Sequence, residues 1–295
     1  TARMTESVQL SMAELTNFHI VDKLRKTGIS CSSRSIITVH HGTAYVLGVP
    51  LPDNIQKQKS NPPHIPRPVS QMKNIVQVSC GSSHGILLDK HGFVYNIRSL
   101  VQRPRVERIL DIPLMINIAC GEFHEYYISQ SRELWRRDAM ESKAERIHTA
   151  PANIESVEAG NLQVLLITEN RNVFFMEPAP TDSLVRFSEL KLGKCLAISC
   201  GLKHSLVLLY NGTVFMCNGS GSHFRRIKCS KVIRSIHAMK NFSLCVDENG
   251  NAVYVGTEKD AHSHSVWLKG IEDVQEVVGG HSSEFSLLFT PDESW

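Results

Sequence analysis

One phrase recurs seven times along this 295-residue chain, and a chain built from copies of one unit has few ways to fold. It reads VSCGSSHGILLDKHGFVY from 78, IACGEFHEYYISQSRELW from 118, VEAGNLQVLLITENRNVF from 157 and ISCGLKHSLVLLYNGTVF from 198. More worn copies are ISCSSRSIITVHHGTAY from 29, IHAMKNFSLCVDENGNAVY from 236 and VVGGHSSEFSLLF from 277. With Cys31, Cys80, Cys120, Ala159, Cys200, Ala238 and Gly279 as anchors, the intervals are 49, 40, 39, 41, 38 and 41 residues. Each unit has a short apolar run, a Gly position, a second apolar run, a polar turn and a third apolar run, which is a β-meander. Asn211-Gly212 and Asn249-Gly250 suit the positive backbone angles of a two-residue hairpin turn, and His41-Gly42 and His91-Gly92 occupy the same place.

A four-stranded unit of this length cannot bury both faces alone, and radial stacking is the usual remedy. The expected fold is therefore all-β, a seven-bladed β-propeller. The last copy supplies two strands, so SVQLSMAELTNFHI, residues 7 to 20, is expected to close the last blade. A single propeller domain over 5–295 follows, with residues 1–4 as an expression remnant ahead of it. The connection over 49–72 accounts for the long first interval and holds six of the twelve prolines, which marks it as an exposed loop or a docking segment.

Composition narrows the function. A balance of 32 basic against 29 acidic residues, net +3, is far from that of a dedicated nucleic-acid binder. No run approaches the roughly 20 apolar residues that cross a bilayer, and TARMTESVQLSM lacks the features of a secretory signal. The eight cysteines form no CxxC pair, and four of them share the anchor position, so they read as small buried thiols in a reducing compartment. A soluble intracellular protein, nuclear or cytoplasmic, is expected.

Gly81, Gly121, Gly160 and Gly201 follow four of the anchors, permitting close backbone approach or a positive φ. His84, His124 and His204 stand three residues later, on different blades, so they read as pins donating to a neighbouring backbone carbonyl rather than as metal ligands. No GxSxG, HExxH or phosphate loop occurs, and no enzyme activity or cofactor is expected.

The pattern over Cys200-Gly201-Leu202-Lys203-His204-Ser205-Leu206, with Gly212 and Val214-Phe215, resembles the regulator of chromosome condensation repeat, and the resemblance extends over roughly residues 20 to 295. WD-repeat propellers have units of similar length, but their Gly-His and Trp-Asp signatures do not recur at fixed places here. The resemblance implies a seven-bladed propeller with one of three roles: nucleotide exchange on a small GTPase such as Ran, binding to nucleosomes, or a protein-binding platform. The exchange factor of that family inserts an extra β-wedge, and intervals of 38 to 41 residues leave no room for one. The expectation placed first is a non-enzymatic scaffold within a larger complex, with exchange or chromatin binding as alternatives.

Arginine recurs beside an apolar residue ahead of the anchors, at Arg108-Ile109, Arg146-Ile147, Arg186-Phe187 and Arg226-Ile227, with Arg67 in a comparable place. On an outer strand this alternation turns the apolar side chain inward and Arg to water. Such a band is either a solvated blade edge or a contact for a partner with an acidic surface, and Arg103, Arg105, Arg136, Arg137 and Arg225 add to it. The candidate partner-binding residues are Arg108, Arg146, Arg186, Arg226, Arg136 and Arg137.

Overall fold

The computed structural model describes residues 28–32, 35–48, 67–69, 72–98, 104–161, 163–177, 185–219, 223–256, 265–268, 273–280 and 287–289. Among them there is no helix, and so none long and apolar enough to cross a membrane. Six four-stranded antiparallel sheets follow one another, each paired in sequence order, and a two-stranded seventh comes last. Numbered along the chain, these blades have inner strands at Ile29–Cys31, Ile75–Cys80, Met115–Cys120, Ile154–Ala159, Cys195–Cys200, Ile233–Ala238 and Glu276–Val278. Six of the seven anchors are thus the last residue of an inner strand, and Gly279 follows the seventh. All seven inner strands line one central cavity of about 240 Å³. The segment 7–20, expected to complete the seventh blade, lies outside the described residues, as does 49–66 of the proline-rich connection.

The cores lie between blades, so each unit buries its faces against its neighbours. In the second strand of blade 2, Leu87 packs toward blade 1 with Ile37, Val46 and Val78. Its neighbours Ile86 and Leu88 pack the other way, with Met115, Ile118 and Tyr127 of blade 3. An all-buried strand such as His84–Asp89 therefore serves two cores through ordinary strand alternation. Each fully buried Leu or Ile contributes about 1.5–3 kcal/mol relative to exposure.

Around the channel, polar side chains tie each inner strand to the next. Ser30 Oγ accepts from the Cys80 amide at 2.9 Å, Ser79 Oγ from Cys120 at 2.9 Å, Asn117 Oδ1 from Val157 at 3.1 Å, and Ser199 Oγ from Ala238 at 2.9 Å. The glycines after the anchors work by close approach, not positive φ: a Cβ on Gly81 would strike the Gly121 carbonyl, one on Gly121 that of Gly160, and one on Gly160 that of Gly201. A Cβ on Gly280 would strike the Cys31 carbonyl, which brings the seventh sheet against the first.

The hairpin turns differ from expectation. Among the described residues, only His41-Gly42 is a two-residue turn with both φ positive, at 48° and 74°. In blade 5 the Leu209 amide donates to Thr213 and the Gly212 amide to Leu209, which makes a three-residue turn with Gly212 alone left-handed. Blades 2 and 6 repeat that arrangement, while Arg132 and Arg171 take the left-handed place in blades 3 and 4.

Candidate interaction surfaces

The end at which the inner strands begin, here the leading face, also carries the second-to-third-strand turns and the connections between blades. There the inner strands share an irregularity. Ile75 pairs with Asp89 and Gln77 with Leu88, so Val76 is left between two successive pairs. Ile116, Glu155, Leu196 and Arg234 are passed over in the same way in blades 3 to 6. A bulge of this kind frees one side chain from the ladder and re-aims it. Val76, Ile116 and Leu196 are 45%, 37% and 38% exposed, and Leu114 beside them is 37% exposed. Glu155 instead pairs with Arg171 at 2.9 Å, and the Arg234 guanidinium donates to the Val274 carbonyl.

The arginine band does not hold together as one surface. Arg108 pairs with Tyr95, Arg146 with Trp135 and Arg226 with Phe215, three equivalent places on the outer strands. In blade 4 the equivalent partner of Phe174 is Glu189, and Arg186 lies three residues away, opposite Glu177. Arg186 is the first residue of its outer strand, Arg186–Leu190, whereas Arg108, Arg146 and Arg226 are the last of theirs, so an acidic residue interrupts the band in blade 4. The buried residue that follows is Leu190, the counterpart of Ile109, Ile147 and Ile227. Arg108 lies over the Phe93 ring at 3.7 Å, and Arg146 pairs with Glu133 at 3.0 Å. Arg186 and Arg226 are exposed, and Arg136 is half-buried.

Arg137 is a correction, because it is buried and cannot meet a partner. Its Nε donates to Glu125 Oε2 at 2.9 Å and its second guanidinium nitrogen to Oε1 at 2.8 Å, while the third reaches the Glu141 carbonyl at 2.8 Å. Tyr127 also donates to Glu125. Burial pushes the Glu125 carboxyl above the usual range, and the Arg137 guanidinium and Tyr127 hydroxyl oppose it. The signal for this pair was present in the sequence: once the turn after Ser129 fixes the hairpin register, Glu125 and Arg137 are direct cross-strand partners.

Two of the three histidines at the repeat position, His84 and His204, reach the following blade, while His124 lies beside Tyr126 of its own strand. His84 Nε2 lies 3.0 Å from Cys120 Sγ and 3.5 Å from Glu125 Oε1, and His204 Nε2 lies 2.7 Å from Ser243 Oγ. His204 also bonds the Phe242 backbone, and burial lowers its pKa to about 4. Gln163 occupies the same place in blade 4 and accepts from Ser205 of blade 5. His84, Cys120 and Glu125 bring three ligand-type atoms within 4.8 Å of one another. Both Glu125 oxygens are already held by Arg137, and burial pushes the Cys120 thiol well up, so the cluster is built as a hydrogen-bonded joint between blades. The Asn96 amide and Trp135 Nε1, on strands of the same two blades, have no hydrogen-bond partner among the described residues.

Sheet order, inter-blade cores and a central cavity shared by all the inner strands define the class: this is a β-propeller with the regulator of chromosome condensation fold. Among solved structures it is similar to human WBSCR16, with a TM-score of 0.71 at 14% identity, covering 92% of this chain and 89% of that one. It is similar also to Prp20p from Saccharomyces cerevisiae, whose structure is described together with binding to Gsp1p and histones, with a TM-score of 0.69 at 10% identity over 90% of this chain and 82% of that one. Yeast RCC1 (Prp20) bound to Kap60 gives 0.69 at 11% identity, over 90% and 80%. No protein-family model and no curated protein sequence matches this chain.

Proposed function

We propose that the protein is a non-enzymatic interaction scaffold of a larger intracellular complex, and that its leading face receives the partner. The repeated bulge carries this reading. In five consecutive blades it lifts one side chain out of the strand pairing, and three of the five are apolar and exposed, Val76, Ile116 and Leu196. Apolar side chains held in water on a rigid rim from several blades form a surface that a protein partner covers. The exposed Arg108, Arg146, Arg186 and Arg226, with Arg136, provide the charged surroundings that steer an acidic partner.

A second reading is nucleotide exchange on a small GTPase, supported by the similarity to Prp20p, a protein described as binding Gsp1p and histones. The histone part of that description supports a chromatin partner in the same measure. The discriminating experiment is affinity purification from native extract with mass-spectrometric identification, comparing wild type with a folded variant carrying Val76→Ser, Ile116→Ser and Leu196→Ser. Selective loss of one partner is expected, and retention of every partner overturns the leading-face reading. Accelerated release of labelled guanine nucleotide from purified Ran would replace the scaffold with the exchange factor.

A further inference from the structure

At the rim of the leading face, blades 5 and 6 enclose a groove of about 620 Å³. Its walls are the turn Asn211-Gly212-Thr213, the connection from Arg226 to Val232, and Glu248 on the facing turn of blade 6. Backbone bonds fix these walls: the Ile227 amide donates to Val214 at 2.9 Å and the Glu248 amide to Val232 at 2.9 Å. The groove is thus preformed, and little ordering cost would fall on an occupant.

Its chemistry is one-sided. Among the described residues that line it, Arg226, Lys228 and Lys231 stand against one carboxylate, that of Glu248. Val232, 46% exposed, adds an apolar surface beside the three cations. The volume falls within the roughly 300–1,000 Å³ of ordinary ligand sites, enough for a few side chains.

We propose that this groove binds a short acidic segment of a partner protein, with carboxylates meeting Arg226, Lys228 and Lys231 and an apolar side chain lying on Val232. The proposal rests on the reading of the protein as an interaction platform and names the partner's chemistry. Charge complementarity decides the occupant: Glu248 in the wall opposes an evenly charged phosphate backbone, whereas a peptide can place a neutral residue there. The exposed apolar surface likewise has nothing to meet in a run of phosphates.

The groove contains its own reporter. Seven of the eight cysteines are buried and Cys229, which lines the groove, is the exception. The experiment titrates the whole chain with a labelled Glu-Leu-Glu-Glu-Leu-Glu peptide, and separately with a single-stranded oligonucleotide, following anisotropy and the rate at which a neutral reagent alkylates Cys229. Saturable, salt-sensitive peptide binding that slows Cys229 alkylation is expected. Lys228→Glu with Lys231→Glu should weaken it about tenfold or more, while Lys203→Glu, at an exposed lysine on the opposite end of blade 5, changes it by less than about twofold. No saturable binding, unchanged alkylation, indifference to the double charge reversal, or tighter binding of the oligonucleotide each overturns the proposal. If the peptide fails while partner capture still depends on Val76, Ile116 and Leu196, the groove is refuted and the platform stands.

Discussion

The joint between blades 2 and 3 and the joint between blades 5 and 6 are built from the same repeat, yet their interiors differ. In both, a histidine three residues after the anchor glycine reaches the following blade. In the first it meets Cys120 and Glu125, behind which stand Tyr127 and the buried Arg137. In the second it meets Ser243, amid an apolar set that includes Leu206, Leu208, Met216, Ile236 and Val253. The repeat therefore specifies that a contact is made across the joint and leaves its chemistry open. A charged joint must be complete to be tolerated, whereas an apolar joint with one hydrogen bond can lose a member gradually.

Arg137→Leu is the strongest way to test that contrast. It leaves Glu125 buried without its cation and should cost about 3–5 kcal/mol in denaturant unfolding, much of it recovered by adding Glu125→Gln. A loss below about 1 kcal/mol would mean that the two joints do not differ. The next largest effect belongs to the other joint. The folded state holds His204 at about 4 against an ordinary 6.5, so the unfolded chain binds the extra proton between those values. Stability attributable to His204 is then complete above about pH 6.5 and falls by about 3 kcal/mol as the pH drops to about 4. Removing the imidazole with His204→Asn should flatten that part of the pH–stability curve; an unchanged slope would show that His204 is not buried in its neutral form. The smallest effect is expected outside both joints, where Arg146→Ala breaks a partly exposed pair with Glu133 and should cost less than about 1 kcal/mol.

The architecture was legible in the sequence because it is written seven times. Anchor spacing located the ends of six inner strands, and the small residues and glycines marked where neighbouring backbones meet. The site was less legible, for identifiable reasons. Arg186 resembles Arg108, Arg146 and Arg226 in its local sequence, but it opens its outer strand where they close theirs, and pairing puts Glu189 in the band instead. Arg136 and Arg137 are adjacent on one strand, so alternation sends them to opposite faces, and the cross-strand partner Glu125 determines the burial of Arg137. The groove around Lys228 and Lys231 draws its walls from two blades, and no single repeat contains it.

The bulges have an evolutionary side. At 76, 116, 155, 196 and 234 the chain carries Val, Ile, Glu, Leu and Arg, five dissimilar residues at one geometric place. Because each lies outside the ladder, exchanging one for another disturbs neither register nor core. A lineage could thus rewrite what the rim offers, one blade at a time, while the ring beneath stays fixed. Partner choice would then drift fastest where folding is least sensitive to the change.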